Sequence, residues 1–370
     1  MTSICIPKSS STVKVSIIDT TFVADVPAAP FMGPAINGFE RFRCVAYAFL
    51  ITHKDVATGK ERKVIFDLGS PTDLVNDFPP TIAKQIEELG GHFVVSKHVS
   101  EILTENGVPL EEVEALIWSH AHCDHIGKPS LWPSSTKLVV GPGLKEAYYP
   151  GWPNVEEAPV LAREFEGRDV IEIDLASFDV AIGDLKAMDF FGDGSFYLIS
   201  APGHAMGHLN ALARTSGETF LYLGADSFHH ASQLRPHAGS RLPATVRLPD
   251  LCCAGSAFHS IHPLTKKDDI PTHYHEAFNM PHGDVNEVPF HTPSQTPTGQ
   301  SLAIDLPEAR RTIRAIQKLD QDPNILVIAA HDSSLYGIME YFPVLANDWK
   351  EKQWKEKGQW AFLSDLSAHV

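Results

Sequence analysis

Positive charge is scarce in this 370-residue chain, which has 30 lysines and arginines against 46 aspartates and glutamates and a formal net charge of −16. A nucleic-acid-binding surface needs clustered basic residues to neutralise phosphates, so we expect no nucleic-acid partner. No apolar run approaches the roughly 18 residues of a membrane-spanning helix. Residues 1–8 also lack the basic and apolar regions of a secretory signal. We therefore expect a cytoplasmic protein with no membrane partner.

Cysteine is scarce as well. The five cysteines are odd in number and show no spacing typical of a disulfide framework, which predicts free thiols in a reducing compartment. The Gly-x-Ser-x-Gly sequence that surrounds many serine nucleophiles is absent. Catalysis by a serine or cysteine nucleophile is therefore not indicated.

Histidine and aspartate, in contrast, are concentrated directly after the apolar run at 115–118. Three imidazoles and one carboxylate lie there within six residues: His120, His122, Asp124 and His125. These groups supply the nitrogen and oxygen atoms that zinc, iron and manganese accept as ligands. A short β-strand ending in a loop would hold His120 and His122 on one metal ion. It would turn Asp124 and His125 toward a second.

Further candidates each follow a short apolar segment typical of a buried strand. Asp67 follows residues 63–66, and the segments at 196–199, 219–225 and 325–330 lead to three more residues, His204, Asp226 and His331. Strand-like segments alternate along the chain with helical candidates at 81–89, 99–106 and 307–319. Since catalytic residues collect on loops positioned by a rigid scaffold, the pattern predicts one site assembled from distant parts of the chain.

The order Asp-x-Gly, His-x-His-x-Asp-His, Gly-His, Asp, His resembles the metallo-β-lactamase-fold hydrolase superfamily over roughly residues 13–335. The resemblance implies one α/β domain over residues 1–370, an αββα sandwich of two mixed β-sheets flanked by helices. It also implies two divalent metal ions, with zinc expected and iron or manganese also compatible. The implied ligands are His120, His122 and His204 for the first ion, Asp124, His125 and His331 for the second, and Asp226 as a bridge. Asp67 would brace the metal-binding loop.

Details of the motif narrow the expected chemistry. His122 stands where flavodiiron reductases have Glu, and Asp226 stands where true β-lactamases have Cys or Ser, so redox chemistry and antibiotic hydrolysis are disfavoured. Glyoxalase II carries a basic C-terminal region for glutathione. Here the lysines at 350–355 are interspersed with other residues, including Glu, and predict a solvated helix face. Three groups of enzymes remain as the relatives that the chain resembles most. They are N-acyl-homoserine lactonase-like enzymes, fungal γ-lactamases that open benzoxazolinone-type rings, and polyketide-cluster thioesterases.

These observations predict a dinuclear hydrolase that opens a cyclic ester or cyclic amide. Two ions would lower the pKa of a shared water toward ~7, and the resulting hydroxide would attack the carbonyl carbon. Asp124 would accept and return a proton. A thioesterase of a biosynthetic pathway, with the same chemistry on an extended acyl chain, is the alternative. The complete ligand set argues against a regulatory protein without catalysis, and the sequence leaves open whether the chain forms a homodimer.

Two segments are expected to shape the substrate pocket. The proline-rich loop at 27–34 carries Phe31 and Met32 at its tip, which indicates a small-molecule substrate with an apolar or aromatic part. Residues 227–300 form a Pro- and His-rich stretch with few clear elements, which predicts an insertion that acts as a lid or an interface. Phe228 and His229, just beyond Asp226, are its residues expected to face substrate.

Overall fold

The computed structural model describes residues 4–90, 92–248, 251–254, 258, 261–265 and 284–367. The helices in this part of the chain are α1 (Pro80–Glu88), α2 (Val99–Glu105), α3 (Leu144–Tyr148), α4 (Leu306–Asp320), α5 (Trp354–Gly358) and α6 (Leu363–Leu366). The strands are β1 (Val13–Pro27), β2 (Met32–Gly33), β3 (Arg41–Lys54), β4 (Glu61–Phe66), β5 (His92–Val94), β6 (Val113–Ile117), β7 (Lys137–Val140), β8 (Val170–Glu172), β9 (Val180–Ile182), β10 (Leu185–Asp189), β11 (Phe196–Ser200), β12 (Leu209–Arg214), β13 (Phe220–Leu223), β14 (Thr245–Leu248), β15 (Leu251–Ala254), β16 (Thr292–Pro293) and β17 (Ile325–Ile328).

Two mixed sheets form the centre of the fold. The first has the strand order β5-β1-β3-β4-β6-β7-β8, antiparallel from β5 to β4 and parallel from β4 to β8. The second has the order β17-β13-β12-β11-β10-β9, antiparallel except for the parallel pair β17 and β13. Among the described residues, no helix is both long and apolar enough to cross a membrane.

Alternating side chains of each strand build the layers, because successive residues of a strand point to opposite faces. In β3, Phe49 packs between the two sheets, while its neighbour Leu50 packs on the outer face of the first sheet. Val99 and Leu103 of α2 join that outer cluster. Ile316 of α4 belongs to the cluster that covers the outer face of the second sheet. Two sheets with helices on both outer faces confirm the expected αββα sandwich.

Part of the C-terminal tail is packed into the protein, although its lysines were predicted to form a solvated helix face. Trp349 and Trp354 lie in the central hydrophobic cluster. The ammonium of Lys355 is buried and donates to the carbonyls of Asp320, Asp322 and Ile325 at 2.6, 2.8 and 2.7 Å. These carbonyls lie where α4 ends and β17 begins. The prediction fails at Lys355, because the spacing of charged residues along a segment does not show that one of them binds backbone carbonyls from a distant part of the chain.

The start of the predicted insertion is also buried. Arg235 and His237 are 3% and 4% exposed and bind the carboxylate of Asp320 at the end of α4. A 3₁₀ turn at Ala231–Gln233 precedes them. Residues 227–237 are therefore part of the core rather than a surface lid. The remainder of the 227–300 segment lies partly outside the described residues, so its role as a lid or interface stays a prediction.

Candidate metal centre and substrate cavity

The side chains predicted to bind metal meet at one edge of the sandwich. β11, β13 and β17 run in the same direction, so the loops that follow them leave the second sheet at one edge. These loops carry His204, Asp226 and His331. The loop after β6 of the first sheet brings the four motif residues, from His120 to His125, to the same place.

The loop before His204 requires glycine. Gly203 has a φ of +121°, and a Cβ there would lie 2.1 Å from the backbone nitrogen of Ala309 in α4. Only glycine lets the backbone of this loop approach the helix so closely. The Gly-His pair of the sequence therefore has a structural reason as well as a chemical one.

Two donor groups share the carboxylate of Asp226. In the first, Nε2 of His204 lies 3.2 Å from Nε2 of His120, 3.0 Å from Nδ1 of His122 and 3.3 Å from Oδ2 of Asp226. In the second, Oδ1 of Asp226 lies 3.0 Å from Nε2 of both His125 and His331. Oδ2 of Asp124 is 3.4 Å from Nε2 of His331. Each oxygen of Asp226 therefore faces a different group.

Outer hydrogen bonds orient these rings. Nδ1 of His125 lies 2.7 Å from Oδ2 of Asp67, whose Oδ1 accepts from the backbone N–H of Ser119 at 2.7 Å. Nδ1 of His331 donates to the carbonyl of Val45 at 2.6 Å. Such partners fix the ring and leave Nε2 directed inward, as is usual for histidines that bind metal. Asp67 has a φ of +60°, a conformation rare for a residue other than glycine and often found at functional sites.

The donor set fits divalent ions. One donor atom each of His120, His122, His204 and Asp226 lie within 4.8 Å of one another, and the same holds for Asp124, His125 and His331 and for Asp226, His229 and His331. Nε2 of His125 and Oδ1 of Asp226 are buried, and neither makes a hydrogen bond of normal geometry within the described residues. Since a buried polar atom without a partner costs ~1–3 kcal/mol, these atoms need a ligand. Imidazole and carboxylate donors suit zinc, iron or manganese.

The electrostatics of the two groups agree with this fit. Burial holds the pKa of His120 and of His204 well below its ordinary value, so both rings are neutral, the form that binds metal. Burial alone would also lower the pKa of His331, but the carboxylates of Asp226 and Asp124 raise it to about 9. The carboxylates therefore attract positive charge to the second group.

A cavity of about 190 Å³ opens beside the donor groups. Its floor includes His122, Asp124, Asp226 and His331. Its walls are mainly apolar and come from β1, the 27–34 loop and α1: Phe22, Val26, Phe31, Ile82, Ile86 and Leu89. The donor groups are thus reached through an apolar space.

The predicted substrate contacts divide into two pairs. Phe31 and His229 line the cavity, with ring centroids 4.9 Å apart, and Nε2 of His229 lies 3.3 Å from Oδ2 of Asp226. Met32 and Phe228 are not among the residues that line it, so the structure gives these two predictions no support. Met32 pairs with Pro293 and packs in the core, and Phe228 packs in the cluster between the second sheet and α4. In each pair of neighbours the two side chains point in different directions. The sequence does not show which of the two faces the cavity.

Some residues of the site were missed from the sequence. Nε2 of His208 accepts from the backbone N–H of Asp226 at 3.2 Å, and the repeat of Gly-His at 203–204 and 207–208 was an available signal. α1 was predicted as a helix but not as a cavity wall. Its apolar residues at helical spacing, Ile82, Ile86 and Leu89, carried that signal.

Comparison with known proteins agrees with the architecture. Residues 42–215 match the family described as the metallo-beta-lactamase superfamily. The chain is 39% identical over 376 residues to gamma-lactamase FDB1 of Fusarium pseudograminearum (strain CS3096), covering 98% of this chain and 85% of that protein. It is 37% identical over 365 residues to metallo-hydrolase mfmC of Annulohypoxylon moriforme, covering 98% of this chain and 89% of that protein.

A solved structure has the same fold. It is an N-acyl homoserine lactone hydrolase with the product N-hexanoyl-L-homoserine bound at the catalytic metal centre. The TM-score is 0.57 at 12% sequence identity, over 90% of this chain and 99% of that chain. The chain therefore belongs to the metallo-beta-lactamase superfamily of hydrolases.

Proposed function

We propose that this protein is a dinuclear metal-dependent hydrolase that opens a small cyclic ester or cyclic amide with an apolar or aromatic part. The observation that carries the proposal is the pair of donor groups sharing Asp226 on the floor of an apolar cavity. The names of the relatives, a gamma-lactamase and a lactone hydrolase, support ring opening.

Seven side chains are proposed to hold the two ions. His120, His122 and His204 would hold the first, Asp124, His125 and His331 would hold the second, and Asp226 would contribute to both. Zinc is the first choice, with iron or manganese compatible with the same donors. When bound, such ions polarise a carbonyl and lower the pKa of water toward ~7. Asp67 holds His125 in the orientation that this requires.

Asp124 is proposed to handle the proton of the reaction. Its side chain is 17% exposed and lines the cavity, whereas that of Asp226 is 3% exposed and surrounded by imidazoles. A carboxylate open to the substrate space can take a proton from water and return it to the leaving oxygen or nitrogen. His229, at the cavity wall beside Asp226, is proposed to contact the substrate ring.

The size of the cavity favours a small substrate. About 190 Å³ is below the ~300 Å³ at which pockets for drug-sized ligands begin. An extended acyl thioester therefore has less support than a compact ring. Benzoxazolinone-type carbamates are compact and are the first substrates to test. Acyl-homoserine lactones are the second, starting with short acyl chains, because the same size argument applies to a long chain.

A substrate panel tests the proposed function. Lactones, lactams and acyl thioesters are assayed with metal-loaded protein and with protein stripped by a chelator. We expect ring opening only by the loaded protein, and recovery when Zn²⁺ is added back, because the buried donors supply no catalytic group that acts alone. Turnover of thioesters without ring opening would replace this proposal with the thioesterase, and full activity after removal of the metal would disprove metal dependence.

Truncation of Phe31 tests the apolar wall. Phe31→Ala is expected to raise KM by about tenfold and to change kcat little, because it removes a contact made equally in the ground and transition states. Steady-state kinetics on the preferred ring measures both constants. Met32→Leu is the matched control, since Met32 is buried next to Phe31 but does not line the cavity. A fall in kcat at unchanged KM would contradict the assignment.

A further inference from the structure

Helix α1 forms one wall of the cavity although none of its own residues is buried. The cavity is lined by three residues of the helix and by the residue that follows it: Ile82, Gln85, Ile86 and Leu89. The apolar side of this helix therefore borders the space that the substrate would fill, while Ile82 and Ile86 also pack against the outer cluster of the first sheet.

Few polar contacts hold α1 in place. Within the described residues, the only polar side-chain contact of α1 joins Lys84 and Glu88 of the same helix, at 3.5 Å. The helix follows Pro79 and ends before Gly90, whose carbonyl accepts from the guanidinium of Arg41 at 3.1 Å. α1 is therefore held mainly by the apolar contacts of Ile82, Ile86 and Leu89, which are partly buried, and its remaining surface is open to solvent and to the cavity.

Away from the metal centre, the described lining of the cavity offers no positive side chain to a substrate. Of the described residues that line it, none is lysine or arginine. Apart from the groups beside the metal centre and two cysteines, Gln85 is its single polar side chain. Gln85 is exposed, which places it at the mouth, and its carboxamide has no partner among the described residues. An amide can donate to and accept from a neutral polar group but cannot neutralise a carboxylate.

We propose that α1 selects neutral substrates, with Gln85 as the specificity-determining residue. Ile82 and Ile86 cover the apolar part of the ring substrate, and Gln85 hydrogen-bonds a neutral polar group on it. A substrate with a carboxylate on that part would lose its hydration against an apolar wall without a counter-charge, which is costly. This inference rests on the proposed function and narrows its substrate class.

A matched pair of rings tests the proposal: 2-benzoxazolinone and the same ring with a carboxylate at C6. We expect wild-type protein to prefer the neutral ring by about 100-fold in kcat/KM. Gln85→Lys should reduce that preference by about tenfold, through a lower KM for the carboxylated ring. Gln85→Met should raise KM for the neutral ring a few-fold and leave kcat unchanged, since only a binding contact is lost.

Glu87→Gln is the control, because it makes the same charge change on α1 at a residue that does not line the cavity. Calorimetric binding of both rings to the metal-loaded proteins gives the same comparison without turnover. A Kd preference for the neutral ring that shrinks in Gln85→Lys and not in Glu87→Gln supports the proposal. An unchanged preference, an equal effect of the control, or no binding of the neutral ring overturns it. Hydrolysis by wild-type protein decides the proposed function separately.

Discussion

Replacing Asp226 by Ala or Asn is expected to abolish ring opening and to lower the metal content of the chain. Its two oxygens face different donor groups, with Oδ1 3.0 Å from His125 and His331 and Oδ2 3.3 Å from His204. The carboxylate of Asp124 lies beside His125 and His331 of the second group, at 3.8 and 3.4 Å. We expect kcat/KM to fall by roughly 10³-fold, since loss of one preorganised contact already costs about 10² to 10³ in kcat.

Metal analysis after dialysis separates this outcome from simple misfolding. Wild-type protein should retain two ions per chain, and the Asp226 variants one or fewer, with an unchanged circular dichroism spectrum. Asp193→Asn is the control, since that carboxylate binds His53 and Ser195 and does not line the cavity. Turnover at the wild-type rate in either Asp226 variant would contradict the proposal that Asp226 contributes to both metal sites.

Asp320→Asn is expected to destabilise the fold by about 3–5 kcal/mol, because it leaves buried cations without their counter-charge. Nε and Nη2 of Arg235 donate to the two oxygens of Asp320 at 2.8 and 2.6 Å, and Nε2 of His237 lies 3.0 Å away. The ammonium of Lys355 is 3.7 Å from the same carboxylate. The loss is a large part of a typical total stability of ~5–15 kcal/mol. Urea unfolding at pH 7 measures it.

The same carboxylate makes stability depend on pH in acid. Burial alone would raise the pKa of Asp320, but the charges of Arg235 and Lys355 hold it well below the ordinary value. The unfolded chain, with a carboxyl pKa near ~3.9, therefore binds this proton first as the pH falls. The contribution of Asp320 is complete above about pH 5, declines below about pH 4 and is lost at the folded pKa. Wild-type protein should lose up to ~1.4 kcal/mol per pH unit more than Asp320→Asn in that range.

An exposed ion pair provides the comparison for Asp320. Asp184 binds Lys318, which lies in α4 as Asp320 does. The side chains of Asp184 and Lys318 are both more than half exposed. Asp184→Asn should therefore change the free energy of unfolding by less than ~1 kcal/mol. Equal effects of the two substitutions, or parallel pH profiles of wild type and Asp320→Asn, would show that the buried network contributes no more than a surface pair.

The order of elements was readable from the sequence because it depends on local patterns. Short apolar runs mark buried strands, and the predicted segments at 63–66 and 196–199 lie within β4 and β11. The predicted helix at 307–319 lies within α4. The edge strand β9 at Val180–Ile182 was missed, since three residues are too few to show a period.

The chemistry of the site was also determined by the sequence. Seven histidines and aspartates follow apolar strands in the order of the superfamily motifs. A set of this kind has few roles other than metal binding. The structure then brings all seven together, because strands that run in parallel deliver their ends to one edge of the sandwich.

Tertiary structure alone decided which side chains face the cavity. Phe31 and Met32, or Phe228 and His229, are neighbours with similar sequence signals, yet one of each pair lines the cavity and the other packs in the core. Likewise, the buried ammonium of Lys355 is held by three carbonyls from another part of the chain. Orientation and pairing of this kind depend on contacts between residues distant in sequence, and local periodicity carries no information about them.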